Sequence, residues 1–167
     1  LEASAIAVGD LPAGSILQVV STSKTDTYTM SSTTFATVTG LSATITPIAT
    51  SSKVFVIASV MAGHDQDNGH SYLRLHDSDN AYTGFPTASS PGSRTGAFCV
   101  LNTTATGQME SYTMSYLHSP STTSAITYNV HASSTATIFV NRSDRDNDAS
   151  TFDGRAFSTI TLMEVAV

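Results

Sequence analysis

The chain has 167 residues, 40 % of them hydrophobic and only 12 % charged, about half the ~25 % charged share of ordinary soluble domains. Its formal net charge is −6, and its seven Lys and Arg residues form no cluster, which excludes a phosphate-neutralising surface and, with it, nucleic acid as a partner. Its apolar runs fall far short of the ~20 residues that a membrane-spanning helix needs, so no membrane insertion is expected.

Residues 1–14 are small and barely charged and read as an arm or linker. Leu1 is not a start methionine, and no basic stretch followed by an apolar one marks a signal peptide; a fragment of a longer or processed chain is expected. From residue 15 to 167 helical periodicity is nearly absent. Short alternating runs bounded by Gly, Pro, Asn, Asp and Ser recur about ten times. Ile16 to Ser21, Thr27 to Ser31 and Leu41 to Thr46 open the series, and Pro47 ends the third because proline cannot donate to a ladder. Lys53 to Ala62 is apolar on both faces through Val54-Phe55-Val56-Ile57-Ala58, which predicts a central strand covered on both sides. Ser71 to His76 and Gly96 to Leu101 follow. Met109 to His118 alternates Tyr112, Met114 and Tyr116 against Ser111, Thr113 and Ser115. Ile126, Tyr128 and Val130 share one face of the next run; Thr137 to Asn141 and Phe157 to Val165 complete the set. Within the last, Glu164 shares a face with Ile160 and Leu162, which predicts a buried carboxyl. With no room for crossover helices, this spacing predicts an all-β antiparallel sandwich, jelly-roll-like, of about ten strands.

Two stretches are too long for tight turns, Asp77 to Thr95 and Asn141 to Arg155, and loops of that length tend to carry function. The first holds Tyr82 and Phe85 near Arg94. Aromatic rings beside fixed donors suit the apolar face of a sugar; alternatively, the rings plug the end of the sandwich. The connection containing Asp65, Asp67, Asn68 and His70 is a second candidate receptor-binding surface. His64, His70 and His76 recur every six residues, which could gather them at one sheet edge for a metal, or leave them exposed among turn formers. Asp144, Asp146 and Asp148 match the first three ligand positions of a calcium loop. Ala149 stands where the glycine should be and Arg155 where the bidentate glutamate should be, so an EF-hand is rejected. A different calcium site and a solvated acidic loop stay open; no other cofactor is expected.

No Gly-x-Ser-x-Gly elbow and no phosphate-cradling loop is present, and no pair of carboxylates stands out for hydrolysis. A non-enzymatic protein is expected. Cys99, the sole cysteine, can make no intrachain disulfide; it reads as a small apolar residue in a strand, against a reactive thiol with no electropositive neighbour. Asn102-Thr103-Thr104 and Asn141-Arg142-Ser143 match the glycosylation sequon.

Three segments resemble the β-rich domain of bacteriophage tail-fibre and related virion proteins, especially those of marine phages. They are Gly14-Ser15-Ile16-Leu17-Gln18-Val19-Val20-Ser21, then Val38-Thr39-Gly40-Leu41 with Ala43-Thr44-Ile45-Thr46-Pro47, and finally Val140-Asn141-Arg142-Ser143 with Ser158-Thr159-Ile160-Thr161-Leu162-Met163-Glu164-Val165. The resemblance implies a homotrimeric module of a virion fibre, joined to upstream fibre or other virion proteins, that binds a host-surface receptor such as a glycan. A purely structural role, as a capsid decoration protein or fibre trimerisation cap, is the alternative. It implies no catalytic residue. A threefold assembly would also shield the edges of a strand-rich surface poor in charge.

Overall fold

The computed structural model describes residues 11–65, 69–79, 85–86, 88–89, 92–101, 107–148 and 153–167. Among these there is no helix. Ten strands follow in chain order: β1 (Ile16–Lys24), β2 (Tyr28–Met30), β3 (Ala36–Ile45), β4 (Lys53–His64), β5 (Ser71–Asp77), β6 (Cys99–Leu101), β7 (Glu110–His118), β8 (Ile126–Ser134), β9 (Ile138–Val140) and β10 (Ser158–Val165). They form two antiparallel sheets packed face to face, the expected sandwich. Sheet A runs β1-β10-β4-β9-β2, with β7 on the other edge of β4, and sheet B runs β3-β8-β5-β6.

The twelve residues of β4 organise sheet A. One edge pairs with β7 along Val54 to Ala62. The opposite edge pairs first with β10, from Lys53 to Ser59, and then with β9, from Ala62 to His64. Period-two alternation sends Val54, Val56, Ala58, Val60 and Ala62 inward, all fully buried. They meet Val38, Leu41, Ala43 and Ile45 of β3, Leu73 and Leu75 of β5, and Ile126, Tyr128 and Val130 of β8 in one core cluster. Removing each of the valine, leucine and isoleucine side chains from water stabilises the fold by roughly 1.5–3 kcal/mol.

The expectation that β4 is covered on both sides holds only for its edges. Its outward residues Phe55, Ile57 and Met61 are half-buried, because sheet B covers one face of sheet A and nothing among the described residues covers the other. Strand β3 starts five residues before the sequence pattern suggested. Its pairing with β8 slips between Thr37 and Ser42, where Gly40 takes a φ of +82°. That bulge shifts the alternation, so Val38 and Leu41 both face the core although three residues apart. Glu164 is fully buried, as its strand face predicted.

Candidate functional site

The described residues of the candidate binding connections divide between scaffold and surface. Asp65 is tied into the scaffold: its Oδ1 accepts from the Thr137 amide at 2.9 Å, and its own amide donates to the Thr137 carbonyl at 3.1 Å. The His70 amide donates to Thr135 Oγ1 at 2.9 Å, while its side chain lies exposed near Tyr72. Asp67, Asn68 and Tyr82 lie outside the described residues. Arg94 is exposed. Phe85 is not an open platform. Only 5 % exposed, it packs against Tyr116, His118 and Tyr128 at centroid distances of 5.7, 4.9 and 6.0 Å. It plugs one end of the sandwich, and its face is closed to a sugar.

Beneath Phe85 lies a buried polar chain. His118 Nδ1 meets the Tyr128 hydroxyl at 2.9 Å, and His118 Nε2 stands 3.9 Å from Asp77 Oδ2. Asp77 Oδ1 accepts from the Asp79 amide at 2.9 Å. Burial lowers the pKa of His118 against the opposing pull of Asp77 and Asp79. Burial likewise raises that of Tyr128. A neutral imidazole with its proton on Nε2, towards Asp77, lets Nδ1 accept from Tyr128. This buried chain links β7 of sheet A to β5 and β8 of sheet B.

His64, His70 and His76 are not gathered. His64 ends β4 in sheet A, and His70 and His76 stand near opposite ends of β5, about 20 Å apart at the strand rise of ~3.3 Å per residue. His76 instead stacks on His131 of β8, with ring centroids 4.0 Å apart and planes 16° from parallel. Directly opposite His131 on β5 is Arg74, whose guanidinium lies 3.7 Å from the centre of the Phe35 ring. Thr37 Oγ1, on β3, hydrogen-bonds His131 Nε2 at 2.9 Å. The Nδ1 atoms of both histidines are buried without a hydrogen-bond partner. Burial pushes the pKa of His131 down to about 4, with His76 and Arg74 adding to the effect. Burial also lowers that of His76, offset by Asp77 and reinforced by Arg74. Sequence reading missed this group because His131 lies on another strand, more than fifty residues from Arg74 and His76; the only local signal was the outward parity of Arg74 and His76 on one strand.

Described residues of the acidic loop after β9 form a network of ion pairs and hydrogen bonds. Asp144 Oδ1 accepts from the Gly107 amide at 2.6 Å. Asp146 pairs with Arg155 at 2.7 Å and Arg142 at 3.5 Å. Asp153 accepts from Ser143 at 2.7 Å and pairs with Arg145 at 3.3 Å; these contacts hold its carboxyl below the usual range, the Ser143 bond first among them. Asp148 is exposed. Among the described residues no three His, Cys, Asp or Glu side chains gather as a metal site. Asn141 is fully buried and its amide nitrogen donates to the carbonyls of Lys24 and Asp26, each at 2.9 Å, so this sequon is closed to glycosylation. Asn102 lies outside the described residues. Cys99 is half-buried, and burial raises its thiol pKa, as suits an unreactive side chain.

No protein-family model matches the chain, and no curated protein matches it.

Proposed function

We propose that the chain is a non-enzymatic virion fibre or spike domain that assembles as a homotrimer and binds a host-surface receptor, a glycan. One observation carries the assembly half. Val19, Met163, Phe55 and Leu117 pair in register across β1, β10, β4 and β7, forming an apolar row on the outer face of sheet A. At the ~4.8 Å strand spacing it is about 14 Å wide, and its end members Val19 and Leu117 are 56 % and 42 % exposed. In one direction the next rows, Ser21-Thr161-Ile57-Ser115 and Ser23-Thr159-Ser59-Thr113, carry no charge; in the other, Val165 stands opposite Lys53. Copies of a chain with net charge −6 repel least where neither presents charge, and an apolar row gives them a reason to stay. The resemblance of the opening and closing strands to tail-fibre domains points the same way.

Light scattering on the purified chain at micromolar concentration should give the mass of a trimer. The surface variants Val19→Glu and Leu117→Glu should give a monomer with an unchanged thermal transition. A wild-type monomer refutes the assembly reading. Failure to bind host cells or any arrayed glycan refutes the receptor reading and leaves the purely structural virion role, which the inward-facing Phe85 favours.

A further inference from the structure

The two outer faces of the sandwich differ in chemistry. Sheet A's is apolar and Ser/Thr-lined, whereas sheet B's presents Tyr72, Arg74 and His76 on β5, Thr127, Asn129, His131 and Ser133 on β8, and Thr37, Ser42 and Thr44 on β3. No Asp or Glu stands among these outward positions, although the chain has 13 acids and seven Lys and Arg. On sheet B, Arg74 stands directly opposite His131 and on the same face of β5 as His76.

We infer that the outer face of sheet B, at Arg74, His76 and His131, is the ligand surface of the domain and takes the anionic group of an acidic sugar, a carboxylate or a sulfate. The inference rests on the receptor-binding half of the proposed function and names its site and ligand class. The stack is built rather than incidental. His131 is only 9 % exposed and is held by Thr37, yet its Nδ1 and that of His76 lack partners. Buried polar atoms left so are rare and call for an explanation. An anion over the row gives these nitrogens an acceptor once the rings take protons and turn, and a guanidinium suits a carboxylate or sulfate. Tyr72, on the same face of β5, offers an apolar ring surface for a sugar, and Asn129, opposite His76, an amide partner.

Among the described residues, the charged groups that act on the stack are Arg74 and Asp77, both from β5, while β3 contributes only neutral side chains. Without ligand the imidazoles stay neutral near pH 7, because burial and Arg74 disfavour the charge. An anion favours the imidazolium, so binding takes up protons and tightens as pH falls.

The test is calorimetric titration of the full chain at pH 7.5 and pH 5.5. The probes are an oligogalacturonate (carboxylated), a chondroitin sulfate oligosaccharide (sulfated), maltohexaose (neutral) and inorganic sulfate. At least one acidic oligosaccharide should bind, about fivefold or more tighter at pH 5.5, with maltohexaose and free sulfate at least tenfold weaker. Arg74→Gln and His76→Gln, both at partly exposed positions, should each weaken binding at least tenfold with melting unchanged. Should either variant melt early, the imidazole proton resonances of the wild type serve instead, and those of His76 and His131 should shift on titration. Acidic sugars that bind at neither pH, equal binding of the neutral sugar, or full affinity in both folded variants overturns the inference. Light scattering on the same samples separates the two readings: a trimer that ignores acidic sugars overturns this site alone, and a monomer that binds them supports the site while refuting the assembly.

Discussion

Replacing Asn141 should be among the most damaging single changes in the molecule. This residue follows β9 with a φ of +63°, in the left-handed region that Asn tolerates better than other non-glycine residues. Its amide nitrogen donates to the carbonyls of Lys24 and Asp26, and its Oδ1 accepts from Ser158 Oγ at 2.6 Å. Ser158 Oγ in turn accepts from the Met61 amide at 3.0 Å. One side chain thus joins the β1–β2 turn, the end of β9, the start of β10 and the middle of β4. Asn141→Ala deletes three hydrogen bonds worth about 1 kcal/mol net each, and strands buried acceptors at up to a few kcal/mol more. The left-handed backbone adds roughly 1 kcal/mol for alanine. The expected loss is about 4–7 kcal/mol, a large part of the 5–15 kcal/mol that holds a typical domain. Asn141→Gly should be milder than Ala by about 1 kcal/mol, since glycine keeps the backbone without strain. Urea unfolding at fixed protein concentration measures both, as a shift in midpoint at constant slope. A loss below about 1 kcal/mol in the alanine variant would sink the account of a central polar clasp. A glycine variant no better than alanine would sink the backbone part.

Three further outcomes are expected. Acid should weaken the fold from about pH 6.5 downward: unfolded histidines take protons near 6.5, whereas His131 resists until about 4 and His76 and His118 are also lowered. That stabilisation is complete above pH 6.5 and is lost as pH falls towards 4, with His131 contributing at most about 3 kcal/mol before solvent screening; urea midpoints from pH 8 to pH 4 measure it, and His131→Gln should flatten the profile. Glu164→Gln should cost about 2–3 kcal/mol. Burial alone would raise this carboxyl, but hydrogen bonds from Gln18, Ser52 and the Ile48 and Ala49 amides outweigh it and hold the pKa low, so its stabilisation is present above pH 4.5 and fades as pH falls; a thermal melt at pH 7 equal to wild type would contradict this. Gly63→Ala should cost about 1–3 kcal/mol by overpacking, because a Cβ there runs into the Gln108 carbonyl oxygen, and an unshifted melting temperature would show that the segment before β7 yields freely.

The strands were legible because burial against one partner sheet imposes period two, and Tyr112-Met114-Tyr116 and Ile126-Tyr128-Val130 show it without interruption. β3 was read short because the alternation breaks at its Gly40 bulge. β4 misled in a different way. An apolar run says that a strand avoids water, but it does not say whether the cover comes from the same chain, and Phe55 and Ile57 face outward. Phe85 was weighed between platform and plug with nothing local to decide, since the deciding neighbours, Tyr116, His118 and Tyr128, come from two other strands. The Arg74–His76–His131 group was invisible for the same reason. Only the pairing register of β5 with β8 makes neighbours of residues that far apart. Asn141 was legible as a motif residue and misleading as one, because a sequon carries no information about burial.

The placement of β10 sets the order in which the molecule can be made. The last of the ten strands to be synthesised lies between β1 and β4, hydrogen-bonded to both. Until it arrives, two long strand edges wait open, and the β1 edge belongs to a segment synthesised more than a hundred residues earlier. Such distant pairing makes for slow closure, and open edges invite pairing with neighbouring chains. Nascent copies emerging side by side from one message would therefore meet while this slot is vacant, so the rate of synthesis and the crowding of ribosomes should decide how much of the product reaches its native form.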